Sequence, residues 1–267
     1  MNATAYIEAV SIAAPGLPDW HTARAVLRDE QPYIASELPV YQPSLLPPNE
    51  RRRASPTVRM AFRVAEAAAR ASSIPAAQLA GVFSSSDGDL SIAQRICAAL
   101  AQEQRFISPT DFHNSVHNAA AGYWSIASAA HGPSTAIAAF DHSFAVGLLE
   151  ALGMVNIEQT PTLLVAYEVP APQPMLAKRP VRDPVGVALI LTPKPGANTL
   201  ARMTTQPAST QLQVTPMNGI ALEAMRMGNP AARALPLLQL LACGHSGSVA
   251  LALPKHASVA IKLDMDM

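Results

Sequence analysis

From Gly132 to Gly153 the chain reads GPSTAIAAFDHSFAVGLLEALG. Gly132-Pro133-Ser134 is a turn signal, Thr135 to Phe140 an apolar run, and Phe144 to Leu152 an apolar pattern at helical spacing. Between them stands one polar interruption, Asp141-His142-Ser143. A buried strand, a sharp corner and a buried helix fit only a layered α/β fold. A side chain at such a corner lies where the strand's carboxyl end meets the helix N-terminus. Unsatisfied N–H groups there favour anions and activated nucleophiles, and many enzymes place a Ser or Cys on such an elbow. Here the corner holds Asp141. It reads either as a catalytic residue, with His142 beside it, or as the N-cap of the helix that follows.

The rest of the chain alternates in the same way. Strands are expected over Ala5–Ala13, Leu79–Ser84, Thr162–Tyr167 and Val185–Leu191, with Leu200–Thr205 pairing with the last of these. Helices are expected over Trp20–Arg28 behind an Asp19 cap and Ser55–Ala71 with Pro56 at its first position. Others are expected over Leu90–Ala101, Ala119–Ala130, Gly219–Met227 and Ala232–Leu241, and a hairpin over Ser248–Leu263 about Pro254-Lys255. Residues 31–50 and 170–184 are proline-rich loops, and Phe112–Asn118 reads as a polar loop. The pattern predicts an α/β chain with a mostly parallel sheet covered on both faces.

Composition narrows the function classes. Lys+Arg and Asp+Glu balance at 19 each, which excludes the basic face a nucleic-acid binder needs. Charged residues make up only 14% of the 267. That value fits a surface partly covered by a partner, or an alanine-rich composition that dilutes charge throughout. The only cysteines, Cys97 and Cys243, form no disulfide framework or zinc spacing. With no signal-peptide pattern and no long uncharged apolar span, a cytoplasmic chain without stable membrane insertion is expected. Cys97 falls on an apolar helix face and reads as core. His113 and His117 have a helical metal-ligand spacing, but no Glu accompanies them and their segment reads as loop, so no metal is expected. Gly81–Asp89 lacks a Walker lysine and a Gly-x-Gly-x-x-Gly run, so no nucleotide or other cofactor is expected.

The corner stretch resembles the elbow of β-ketoacyl synthases, in which Gly-Pro-Ser leads through a buried strand to the nucleophilic Cys and a long helix. His113-Asn114-Ser115-Val116-His117-Asn118-Ala119-Ala120-Ala121-Gly122-Tyr123 is similar to the loop and small-residue helix those enzymes carry near their dimer axis. Leu46–Ala69 resembles their arginine-rich loop and helix, and Val185–Leu191 the closing strand of their first half. The resemblance implies a thiolase-like fold: a single βαβαβαββ-type half, with a mixed sheet covered by helices. Residues 1–195 would be the family-like core of one 1–267 domain, and 196–267 a short divergent extension. Counting from Gly132, the family's Cys falls on Asp141, and the family's His-Gly-Thr and Gly-His-Thr motifs are absent. A carboxylate is a poorer acyl acceptor than a thiolate and would form a labile anhydride.

The implied role is a non-catalytic, chain-length-factor-type subunit in polyketide, aryl polyene or fatty-acid-like biosynthesis. Its partner would be a full-length β-ketoacyl synthase, with acyl carrier protein reached through that partner or met at Arg51, Arg52 and Arg53. The implied dimer seam comprises Ser134, Thr135, Ala136, Ile137, Ala138, Ala139 and Phe140, with His113, Asn114, His117, Tyr123 and Trp124. Phe140 and Phe144 are candidate tunnel plugs. Two alternatives stand: a truncated acyl-transfer or condensing enzyme using Asp141, His142 and His245, and an independent homodimeric binding module.

Overall fold

The computed structural model describes residues 3–265. In chain order its strands and helices begin with β1 (Thr4–Ala13), α1 (Trp20–Leu27), α2 (Pro48–Arg53), α3 (Pro56–Ala71), β2 (Ala80–Ser84) and α4 (Leu90–Leu100). Then come α5 (Pro109–Asn114), α6 (Ala119–Ser128), β3 (Ser134–Ile137), α7 (Ser143–Gly153), β4 (Thr162–Glu168) and α8 (Met175–Lys178). The chain closes with β5 (Val185–Thr192), β6 (Ala201–Thr205), α9 (Ile220–Gly228), α10 (Leu235–Cys243), β7 (Gly247–Ala252) and β8 (Ser258–Asp264). Helix starts follow local chemistry. The side chains of Asp19, Ser55 and Asp89 accept from the backbone N–H of Thr22, Val58 and Ile92, capping α1, α3 and α4.

The strands form one eight-stranded sheet in the order β3-β2-β4-β5-β1-β6-β8-β7. Only β3-β2 and β2-β4 are parallel, and every other pair is antiparallel. The sheet is therefore mixed, not mostly parallel. A parallel return needs a crossover, usually a helix. Between β4 and β5 the chain carries only the four-residue α8, and it comes back antiparallel. β6 pairs with β1 and β8, not with β5, because β1 occupies the free edge of β5. The tail is not an appended unit: β6, β8 and β7 continue the sheet. Phe112–Asn118 is also not wholly loop, since α5 runs to Asn114.

Alternation along the central strands feeds two cores. Leu164, Ala166, Val187 and Leu189 face the layer of α1, α7 and α10. Leu163, Val165, Ala188 and Ile190 face α3 and α6, where Phe62 meets Trp124 edge-on with centroids 5.6 Å apart. Among the described residues no helix is long and apolar enough to cross a membrane.

The corner helix α7 lies unusually close to β2. A Cβ added at Gly147 would stand 2.8 Å from Ser84 Cβ, and Ser84 Oγ donates to Ser143 O at 2.6 Å. Helix propensity alone favours Gly147→Ala by about 1 kcal/mol. The close approach predicts the reverse, a loss of about 1–3 kcal/mol from overpacking, read as a lower midpoint in urea unfolding.

Candidate functional site at the strand–helix corner

β2, β3 and β4 are the parallel part of the sheet, so their carboxyl ends open on one side, where α/β sheets place their sites. Each end delivers polar groups: Ser85-Ser86-Asp87 after β2, Asp141 after β3, and Glu168 at the end of β4. After β3 the backbone turns sharply. Phe140 takes φ 53°, a left-handed conformation that costs a bulky residue about 1–3 kcal/mol. Three hydrogen bonds over-determine it. Ser143 Oγ donates to Phe140 O at 2.6 Å and accepts from Ala139 N at 3.0 Å, and His142 N donates to Ala139 O at 3.0 Å.

Asp141 does not cap α7, which starts without a side-chain cap. Its carboxylate turns instead to Arg179 Nη1, 2.7 Å away. The same guanidinium donates through Nε to Asp87 Oδ2 and through Nη2 to Ser86 Oγ, each at 2.8 Å. Its face lies 3.9 Å from the Phe140 ring centroid. Burial works to lower the Arg179 pKa, and the bonds to Asp141 and Asp87 outweigh it, holding the cation above its ordinary value. Behind it Glu168 is buried, accepting from Ser86 N at 2.6 Å and contacting Ser85 Oγ at 3.2 Å. Burial raises its carboxyl to about 8, with Asp87 adding to the rise against the Ser86 and Ser85 bonds. Glu168 is thus largely protonated at neutral pH, and Arg179 is shared by Asp87 and Asp141. His117 closes the cluster, its Nε2 2.9 Å from Ser85 O.

The strand–helix elbow thus carries an ion pair between Asp141 and Arg179. The family model for the β-ketoacyl synthase N-terminal domain matches residues 20–237. The chain belongs to the β-ketoacyl synthase family. Solved structures share the fold. The ketosynthase ApeO with its chain length factor ApeC from Xenorhabdus doucetiae matches at TM-score 0.73 and 24% identity, over 97% of this chain and 99% of that one. The ishigamide ketosynthase/chain length factor matches at 0.73 and 13% identity, over 99% and 100%. AntDE:AntF, a type II polyketide acyl-carrier protein in complex with its ketosynthase, matches at 0.74 and 10% identity, over 100% of both. No curated protein sequence matches.

Within this ketosynthase-like frame the expected residues divide. Ser134 and Ala138 are exposed, and Thr135, Ala136, Ile137 and Ala139 half-exposed, along β3 and its exit. β3 is a sheet edge, paired only with β2. Phe144 is wholly inside the α7 core and reaches no surface, because it lies on the face of α7 that packs on the sheet. Trp124 is likewise enclosed against Phe62. Asn114 is buried, bridging Arg53 O at 3.1 Å and the Tyr123 hydroxyl at 3.0 Å. His113 stands edge-on to Tyr123, whereas His117 turns to Ser85, so the two histidines face different partners. His113, Tyr123 and Ile126 line a groove of ≈ 490 Å³ together with Pro47, which precedes α2, and Arg53 at its end.

Of the three arginines, Arg52 and Arg53 are exposed, while Arg51 is held by Leu46 O at 2.9 Å. Cys97 is exposed, not core, because α4 buries only Ile92. Cys243 is half-buried, with Sγ 3.9 Å from Leu27 O. His142 and Ala250–Ala252 line one small space, but His245 sits exposed in the turn before Gly247 at the other end of β7. At about 3.4 Å per residue that end lies roughly 17 Å from Ala252. The structure therefore does not assemble Asp141, His142 and His245.

Sequence reading missed Arg179, Asp87 and Glu168 as site residues. The available signal was a carboxylate ending the apolar strand LLVAYE. Because folded Glu168 keeps its proton up to about pH 8 while an unfolded glutamate loses it near 4.5, stability falls as pH rises through that window, by an order of a few kcal/mol. Glu168→Gln is expected to flatten the melting-temperature profile between pH 5 and 8 and to melt above the unmodified chain at pH 8.

Proposed function

We propose that this chain is a ketosynthase-like subunit with no condensation chemistry of its own, of the chain-length-factor type. It pairs through β3 with a full-length β-ketoacyl synthase in polyketide or aryl polyene assembly. The observation that carries this reading is the ion pair at the corner. Where a synthase needs a thiolate, Asp141 is bound to Arg179 and the residue on the strained backbone is Phe140. Neither side chain can accept and release an acyl group as a thioester.

The pairing face has physical support. Among the described residues β3 is an edge strand paired on one side only, an arrangement that invites strand addition. Phe140 at 61% exposure lies at its exit, and Ile126 at 78% stands on the adjacent helix α6. Chain length factor complexed with ketosynthase is the assembly named for two structural neighbours. Exposed Arg52 and Arg53 fit the acidic surface of a carrier protein brought by that partner. The enzyme alternative finds His245 apart from Asp141 and His142. The homodimer alternative would use the same edge.

Co-expression with a cysteine-bearing β-ketoacyl synthase is the test. A stable 1:1 complex is expected, and Ala138→Arg, at a position exposed in the free chain, is expected to abolish co-purification while leaving the melting temperature unchanged. A chain that is stable as a homodimer or monomer and never co-purifies overturns the reading, as does Ala138→Arg pairing normally.

A further inference from the structure

Phe140 is an odd residue to leave on a surface. The residue is 61% exposed and belongs to neither apolar core. Its backbone sits at φ 53°, where bulky residues are rare. Strain of this kind persists only where surrounding structure fixes it, and it clusters at functional positions.

Ser143 and His142 hold that backbone, and the ring is held by Arg179. Its Nε, Nη1 and Nη2 are committed to Asp87, Asp141 and Ser86 at 2.8, 2.7 and 2.8 Å. These partners lie at the ends of two different strands, so the guanidinium plane cannot turn. The Phe140 ring rests against that plane at 3.9 Å, and Asp141, the next residue, is gripped by the same cation. Arg179 thus holds the elbow by both its ring and its carboxylate. A lysine would keep the charge but not the planar fork that makes three directed contacts.

We propose that Arg179 is a positioning residue that presets the Phe140 ring as the anchor of the partner interface, for an apolar slot on the partnering ketosynthase. The proposal rests on the pairing reading above. An aromatic ordered before association loses little rotamer freedom on binding, and anchors of this type carry much of an interface's affinity. The cation already behind the ring makes an uncharged, apolar receptor the fitting one.

A double-mutant cycle on the affinity of the complex tests this. Phe140→Ala and Arg179→Met should each weaken pairing by about tenfold or more. Because Arg179 acts through the ring, the double variant should bind no more weakly than Phe140→Ala alone. Arg179→Lys, which leaves a cation beside Asp87 and Asp141, serves as the second arm should the Met variant not fold, and should lie between the unmodified chain and Phe140→Ala. Additive losses overturn the proposal, as does a folded Arg179 variant that pairs as tightly as the unmodified chain. If the unmodified chain pairs with no ketosynthase, the functional reading falls and this one with it. If it pairs and the cycle is additive, only the role of Arg179 falls.

Discussion

One guanidinium ties the functional end of this molecule together. Arg179, on the connection between β4 and β5, reaches groups that follow β2 and β3. Through Ser86 it adjoins Glu168 at the end of β4. The three parallel strands would otherwise present Asp87, Asp141 and Glu168 to one another with little compensating charge beyond the nearby Arg233. Burying carboxylates together is costly, and one well-directed cation with hydrogen bonds to the remaining oxygens is what makes it tolerable. Glu168 settles its share by keeping its proton, and Asp87 and Asp141 divide the arginine. The result is a corner whose polar groups are committed to one another.

The elbow is held by contacts of its own. Strand-to-helix geometry here does not depend on a nucleophile. It depends on the close seat of α7 on β2 at Gly147 and on Ser143 bonding back to Ala139 and Phe140. Phe140 keeps its left-handed backbone through these bonds, and its side chain projects to the surface. An edge strand and an exposed aromatic are liabilities in a free monomer, and a paired ketosynthase would cover both.

Features with local causes were legible in the sequence. Asp19 and Ser55 cap the helices that their side-chain chemistry indicates, and the strand–corner–helix unit stands where the apolar pattern and Asp141-His142-Ser143 put it. What failed depended on distance along the chain. The partner of β6 is β1, about two hundred residues earlier, and Leu200–Thr205 carries no mark of that choice. Arg179 meets Asp87 across 92 residues, so one more basic residue in a proline-rich loop gave no sign of its role. Helical spacing also misled where packing was one-sided: Cys97 has an apolar setting on α4, but little covers that face. Phe144 and Phe140 looked equivalent flanking the corner, yet the turn between them sends one into the core and the other to the surface.

The central claim is that this corner takes no part in covalent chemistry. Its most direct test is intact-mass analysis of the chain and a partnering ketosynthase after incubation with an acyl thioester of the carrier protein. The account predicts an acyl adduct on the partner's cysteine and none on this chain. An acyl group mapped to Asp141, or turnover by this chain alone, would contradict it.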